Sequence, residues 1–321
     1  MIASVFFLIL GFLLLVKGAD LFVDGASSIA KRLRIPSLII GLTIVAFGTS
    51  APELAVSVTA ALKGSNDIAL GNVVGSNMFN LLVVIGVSAM ICPLTVEKSM
   101  MKKDYPLSIG ATILLAILVM DQFLWHKDTM SLSRIDGIIL LIVFAFFMYL
   151  TIREGLAKRK EHLQSQEVEI PVKYNLPVSL LLSVAGLLGI IFGGDMTVNS
   201  AKEIARAFGL SEALIGLTIV AIGTSLPELV TSVVASKKGE SDIALGNAVG
   251  SNLFNILFIL GTSSTILPMG ISPTYLFDIG FLILVSLLVF IPIVAKQKIS
   301  RGVGAVMTGA YILYTVYLIM R

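Results

Sequence analysis

The chain has 321 residues, 56% hydrophobic and only 13% charged, with a formal net charge of +3 and a mean hydropathy of +0.98. Soluble globular chains carry about 25% charged residues, so a soluble enzyme is excluded and a polytopic protein of the lipid bilayer is expected. No basic stripe with interleaved aromatics marks a nucleic-acid partner, and no G-x-x-x-x-G-K-[ST] run marks a nucleotide partner.

The single cysteine, Cys92, excludes a disulfide framework within the chain. The two histidines, His126 and His162, fall in polar connecting segments, which leaves no soft-ligand set for zinc, copper or iron–sulfur. No cofactor is expected. Metal chemistry here would use oxygen ligands, which favour hard cations.

In chain order, the first apolar stretch has no basic n-region and no cleavage site, so it is expected to be a retained helix. Stretches about 20 residues long predict spans near 2–24, 36–61, 68–92, 105–124 and 135–152. The second half predicts 177–200, 211–236, 243–267, 277–295 and 303–320. The first and sixth are expected to continue helically into the amphipathic segments ASSIAKRL and AKEIARAF.

The two halves are one unit written twice. Residues 40–86 align without a gap on 215–261, at a shift of 175, with 32 of 47 positions identical. The same shift pairs Asp20 with Asp195. Five spans per half is odd, so the second half enters the membrane from the opposite side. The expected fold is an all-α integral membrane protein of ten transmembrane helices, built as two inverted five-helix repeats. Residues 1–152 form the first repeat, 153–176 a linker loop and 177–321 the second repeat. Loops after odd-numbered spans hold 16 of the 23 Lys and Arg residues, the other side and the termini 6, and Lys17 lies within the first span. Both termini are thus expected outside the cell membrane and loop 153–176 in the cytoplasm. That loop is short and charged, a solvated linker rather than a regulatory domain.

The second span contains Gly48-Thr49-Ser50-Ala51-Pro52-Glu53-Leu54, and its mate Gly223-Thr224-Ser225-Leu226-Pro227-Glu228-Leu229. Proline within a helix removes a donor and clashes with the carbonyl four residues back, here on Gly48 and Gly223. The break is expected to free carbonyls near Ala46, Phe47, Ala221 and Ile222, and free carbonyls can coordinate cations. Beside each break sits a glutamate near mid-span, where an ionised side chain costs about 3 kcal/mol on insertion scales. One reading is a protonated glutamate bonding helices together. Recurrence of the same acid beside the same break favours an ion site. Thr49, Glu53 and Ser57 share a helix face, as do Thr224, Glu228 and Ser232.

The third span adds Asn72, Ser76 and Asn80 on one face, and its mate Asn247, Ser251 and Asn255. Gly71, Gly75, Gly246 and Gly250 would let neighbouring helices approach. Asn77 and Asn252 fall off the stripe and read as structural. Asp67 and Asp242 read as caps at helix starts. Asp20 and Asp195 either attract cations at opposite mouths or anchor helix ends. The assembled set is two carboxylates, amides, hydroxyls and carbonyls, which suits one divalent cation or several monovalent ones in competition.

GTSAPEL and GTSLPEL, with GNVVGSNMFN and GNAVGSNLFN, resemble the two α-repeats of the cation/calcium exchanger superfamily over essentially the whole chain. Among its members the prokaryotic sodium/calcium exchangers are the most similar, since proton/calcium members typically show GN-x-x-E where this chain has GTS-x-P-E. The resemblance implies calcium and sodium as transported ions and alternating access, with the first and sixth helices sliding across a core. It implies Glu53 and Glu228 as central ligands and Thr49, Ser50, Thr224 and Ser225 as hydroxyl ligands. It further implies carbonyls of Ala46 and Ala221, and Ser76, Asn80, Ser251 and Asn255 as ligands from the third and eighth helices. Potassium-dependent members have aspartate at the position of Asn255, which makes potassium co-transport unexpected here. A functional single chain is expected, since both repeats are present. Alternatives on the same residues are a proton/calcium antiporter or a cation channel. An intramembrane hydrolase lacks support, as no activated nucleophile, H-E-x-x-H or G-x-G-D pattern occurs.

Overall fold

The structure, a computed structural model, describes residues 2–64, 66–120, 130–164, 172–208 and 221–320. The predicted span 211–236 therefore lies outside the described residues up to position 220, as do 165–171 of the linker and His126. The side chains of Asp67, His162 and Ala221 are outside them too.

The helices are α1 (Ile2–Leu33), α2 (Ser37–Thr49), α3 (Ala51–Leu62), α4 (Ile68–Ile91), α5 (Tyr105–Val119) and α6 (Arg134–Gln164). They continue with α7 (Leu176–Ala207), α8 (Ala221–Thr224), α9 (Leu226–Lys237), α10 (Ser241–Ile266), α11 (Thr274–Lys296) and α12 (Arg301–Met320). Among the described residues seven are long and apolar enough to cross a membrane, or eight if α2 and α3, bent by 50°, count as one span. The span expected at 105–124 appears as the 15-residue α5. As expected, α1 and α7 run on through their amphipathic ends to Leu33 and Ala207. The expected linker loop is instead helical over 153–164, as the end of α6. Its Lys, Arg, Glu, Leu and Ala are good helix formers, and Glu154 pairs with Lys158 one turn on at 3.1 Å.

Among the described residues, four two-residue strands add to the helices. Leu94–Thr95 pairs antiparallel with Lys298–Ile299, and Ser131–Leu132 with Met269–Gly270. Each pair joins the first half of the chain to the second.

Burial sorts the helices into a centre and a rim. The α10 window is 94% buried and that of α4 78%, whereas α1, α6, α7 and α12 are only 17–28% buried. The rim helices turn Phe6, Phe12, Leu13, Ile142, Phe146, Leu181, Phe192 and Leu313 outward, as helices facing lipid tails do. The centre carries the polar residues instead.

Helices α1 and α7 lie antiparallel along a seam of small residues. A Cβ at Gly11 would stand 2.7 Å from Thr197 Oγ1, and one at Gly18 2.7 Å from the Ile190 nitrogen. The seven-residue spacing of Gly11, Gly18 and Gly25 against Ser179, Gly186 and Gly193 keeps the seam on one face of each helix. Gly246 and Gly250 likewise bring α10 against α2: a Cβ at either would stand 2.9 Å from a Cα of α2, that of Gly41 or of Leu42. Gly71 meets the Tyr275 hydroxyl, and Gly75 meets nothing within 4 Å among the described residues, so it does not mediate the close approach expected of it.

Gly18→Leu overpacks the α1–α7 seam and should cost about 1–3 kcal/mol. Gly110→Ala, in α5 with no atom within 4 Å of the new Cβ, should be neutral or slightly stabilising. Thermal unfolding in detergent should place Gly18→Leu well below wild type and Gly110→Ala at or just above it. Equal midpoints for the two variants would contradict the seam.

Candidate functional site

The chain bends at Ser50, whose φ of −82° and ψ of 8° leave the helical region. Pro52 then sits in the first turn of α3, where a missing N–H costs nothing because that donor has no helical partner anyway. Pro227 does the same in α9, after a break at Ser225. This corrects the expectation of free carbonyls at Ala46 and Ile222. Ala46 accepts the Ser50 amide at 3.0 Å and Ile222 accepts the Ser225 amide at 3.2 Å, because the chain kinks in a single residue rather than unwinding. A carbonyl so engaged keeps a second lone pair.

The breaks put the two glutamates into each other's halves. Ser225 donates to Glu53 Oε1 at 3.0 Å, and Ser50 donates to Glu228 Oε1 at 2.9 Å. Each glutamate also takes a longer hydrogen bond from α4 or α10, Glu53 from Ser76 at 3.5 Å and Glu228 from Ser251 at 3.4 Å. Ser225 and Ser76 stand 3.0 Å apart. Glu53 is 1% exposed and Glu228 0%, yet the Oε2 of each has no partner. No basic side chain among the described residues pairs with either one.

The asparagines divide into framework and free groups. Asn247 donates to the Glu228 carbonyl at 3.2 Å and to Ser232 at 2.9 Å, while its Oδ1 takes the Thr49 hydroxyl at 2.9 Å. Asn72 mirrors it, with donations to the Glu53 carbonyl at 3.3 Å and Ser57 at 3.0 Å, and Thr224 at 3.4 Å from its Oδ1. Both side chains are thus fully spent on holding the kinked helices. Asn77 and Asn252 exchange bonds with each other's carbonyls at 3.2 and 3.4 Å, tying α4 to α10 as the structural reading had it.

Asn80 is 0% exposed and neither atom of its amide has a partner. Asn255 donates to Asn77 Oδ1 at 2.9 Å and leaves its own Oδ1 free. Both lie in π-helical turns, Asn80–Val84 and Phe254–Leu260, which widen the helix where these amides emerge. Nothing in the sequence marks those turns. Two carboxylate Oε2 atoms, the Asn80 amide and the Asn255 oxygen are thus buried without protein partners, the two asparagines lying four residues after Ser76 and Ser251 on the same helices. All of it is oxygen and amide. No group of three or more His, Cys, Asp or Glu is arranged to hold a metal among the described residues.

Three acidic residues outside the glutamate pair are placed by the structure. Asp242 is not the cap expected of it: the residue before α10 is Glu240, which makes no side-chain capping bond, and Asp242 falls in the first turn. Asp20 is bound by Lys238 at 2.7 Å. Asp24, which nothing in the repeat pattern singles out because its mate is Asn199, is bound by the same lysine at 2.6 Å.

A family model described as sodium/calcium exchanger protein matches residues 3–153 and 178–320. The chain belongs to the sodium/calcium exchanger family. Sodium/calcium exchanger MaX1 of Methanosarcina acetivorans is 33% identical over 343 residues, covering 97% of each chain. Inner membrane protein YrbG of Escherichia coli is 36% identical over 322 residues, covering 98% of this chain and 96% of its own. A solved structure of the sodium-calcium exchanger NCX_Mj, soaked with sodium and calcium, superposes with a TM-score of 0.83 at 32% identity, covering 98% and 97% of the two chains. Like these relatives, this family member is a multi-pass membrane protein.

The division of asparagines has a measurable consequence. Asn247→Ala breaks three buried hydrogen bonds and should destabilise by about 2–4 kcal/mol. Asn80→Ala breaks none in the structure and should cost far less. Unfolding midpoints of the two purified variants check this, and a larger loss for Asn80→Ala would contradict the division.

Proposed function

We propose that this chain is a secondary antiporter that exchanges sodium for calcium across the cell membrane. The observation that carries the reading is the reciprocal grip of Ser225 on Glu53 and Ser50 on Glu228, which leaves one free oxygen on each buried carboxylate. Two carboxylates with no counter-cation are satisfied by one calcium ion or by sodium ions, and the loads exclude each other. Calcium takes six to eight oxygens with flexible geometry. Here Glu53, Glu228, Thr49, Ser50, Thr224, Ser225, Ser76, Ser251, Asn80 and Asn255, with the carbonyls of Ala46 and Ala221, supply the candidates. The spent donors of Asn72 and Asn247 hold these groups in place. Asparagine at 255 adds no third carboxylate, which disfavours a further monovalent load such as potassium.

The architecture we assign is ten spans in two inverted repeats, 1–152 and 177–321, joined by 153–176. The shift of 175 residues, the antiparallel α1 and α7, and the two strand pairs that each cross between halves support it. Both termini lie outside and the linker in the cytoplasm, as the basic residues favour. Alternating access follows if α1 and α7 move together over the buried α4 and α10, and one chain suffices because both halves of the site are in it. The names of the relatives and the GTS-x-P-E motif favour sodium over protons as the driving ion.

Liposomes containing the purified chain, loaded with sodium and diluted into sodium-free buffer with calcium and an ionophore that collapses any pH gradient, should take up calcium. Glu53→Gln should reduce uptake to the level of empty liposomes. Uptake that needs no internal sodium would overturn the sodium assignment, and uptake without any counter-gradient would indicate a channel.

A further inference from the structure

A second set of charged residues lies away from the glutamates, around a cavity of about 400 Å³ at the face where α1 ends and α7 begins. Its charged lining is Asp20, Asp24, Lys31, Lys173, Lys238 and Glu240. Asp20, Asp24, Ser27 and Lys31 fall at i, i+4, i+7 and i+11, on one face of α1. Against that face sits the turn Lys238-Gly239-Glu240, between α9 and α10. Lys238 spends all three of its donors on α1: 2.7 Å to Asp20 Oδ1, 2.7 Å to the Asp20 carbonyl and 2.6 Å to Asp24 Oδ1. Glu240 answers with opposite charge, taking Lys31 at 2.9 Å and the Ser27 hydroxyl. Lys173 closes the set on the other oxygen of Asp24 at 2.7 Å. Gly239, at φ +77°, lets so short a turn present both side chains to the same helix.

The turn is coupled to the site. Lys238 closes the C-terminal end of α9, the helix whose first turn carries Glu228, about 15 Å away along the helix. In the sequence, the 175-residue shift pairs Lys238, Gly239 and Glu240 with Lys63, Gly64 and Ser65, and pairs Asp20, Asp24, Ser27 and Lys31 with Asp195, Asn199, Lys202 and Arg206. There the second aspartate has become Asn199, the glutamate Ser65 and the serine Lys202. Lys63 and Asp195 are exposed, and Lys63 makes no ion pair among the described residues. One face is bolted and its mate is not.

We propose that the Lys238-Gly239-Glu240 turn is a latch that grips Asp20, Asp24 and Lys31 of α1, closes the mouth of the ion pathway on the linker face and biases the resting protein toward the opposite face. The latch rests on the alternating-access reading above. In it, Lys238 and Glu240 are positioning residues: they act on the site by holding α1, not by touching the ion. Opening on the linker face requires the turn to release α1. The corresponding set at Lys63 has two carboxylates fewer, and Lys63 makes no ion pair among the described residues, so no such grip holds the opposite face.

Ser28 is 3% exposed and lines the same cavity, so it reports the latch. In the full chain with Cys92→Ser, the thiol placed by Ser28→Cys is titrated with a membrane-impermeant maleimide in detergent, where both faces are reachable. Lys238→Gln should raise the labelling rate about tenfold, Lys238→Arg should leave it near background, and Lys63→Gln should not change it. In liposomes Lys238→Gln should lower the half-saturating calcium on the linker face and leave that of the opposite face unchanged. Unchanged labelling in Lys238→Gln, or an equal rise in Lys63→Gln, would overturn the latch. If Lys238→Gln fails to fold, Asp24→Asn removes one of the two ion pairs and should give a smaller rise in the same assay. Sodium-driven calcium uptake by the unaltered chain is measured in parallel. Its absence would sink the antiport reading, while the labelling rates still decide whether the turn restrains α1.

Discussion

Everything in the molecule is organised around two carboxylates that the structure removes from water and does not neutralise. Glu53 and Glu228 are buried to 1% and 0% exposure without a basic partner among the described residues. An isolated ionised carboxylate in a low-dielectric interior is costly, so such a group is either protonated or waiting for a cation. The shorter of the hydrogen bonds they accept come from serines that precede the other half's proline. Each glutamate is therefore placed by the opposite half of the chain, and neither half alone makes the site.

That mutual dependence explains the sorting of residues between centre and rim. The helices that hold the glutamates' partners, α4 and α10, are the most buried, and their asparagines carry the framework bonds that kinked helices cannot make for themselves. The rim pair α1 and α7 has little polar business with the site and packs through small residues. Such a seam joins two long helices closely, while their outward faces meet lipid. Under the proposed alternating access, it is this pair that moves over the core. The charged turn at Lys238 then matters because it is where the pair and the core are fastened together.

Much of this was legible in the sequence, and the reason is duplication. A polar motif recurring after 175 residues separates function from packing noise, and it pointed to Glu53, Glu228 and their hydroxyl neighbours before any coordinates. Helix continuity through ASSIAKRL and AKEIARAF was legible from periodicity. Other features were not. Periodicity cannot tell a one-residue kink from an unwound segment, so Ala46 and Ile222 were expected to be free when their carbonyls in fact accept amides. It places Asn72 and Asn80 on one stripe, although the first is saturated and the second is not, because periodicity gives a face and not the partners that face meets. Asp24 escaped because its partner, Lys238, is distant in sequence and its repeat mate is neutral.

The central claim is that the two glutamates form one ion site rather than two. Calcium binding to the purified chain in sodium-free buffer, measured by calorimetry for wild type, Glu53→Gln, Glu228→Gln and the double variant, tests it directly. A shared site predicts that each single substitution abolishes binding as completely as the double does, and that sodium weakens calcium binding in the wild type. Half of the wild-type stoichiometry surviving in each single variant would contradict it.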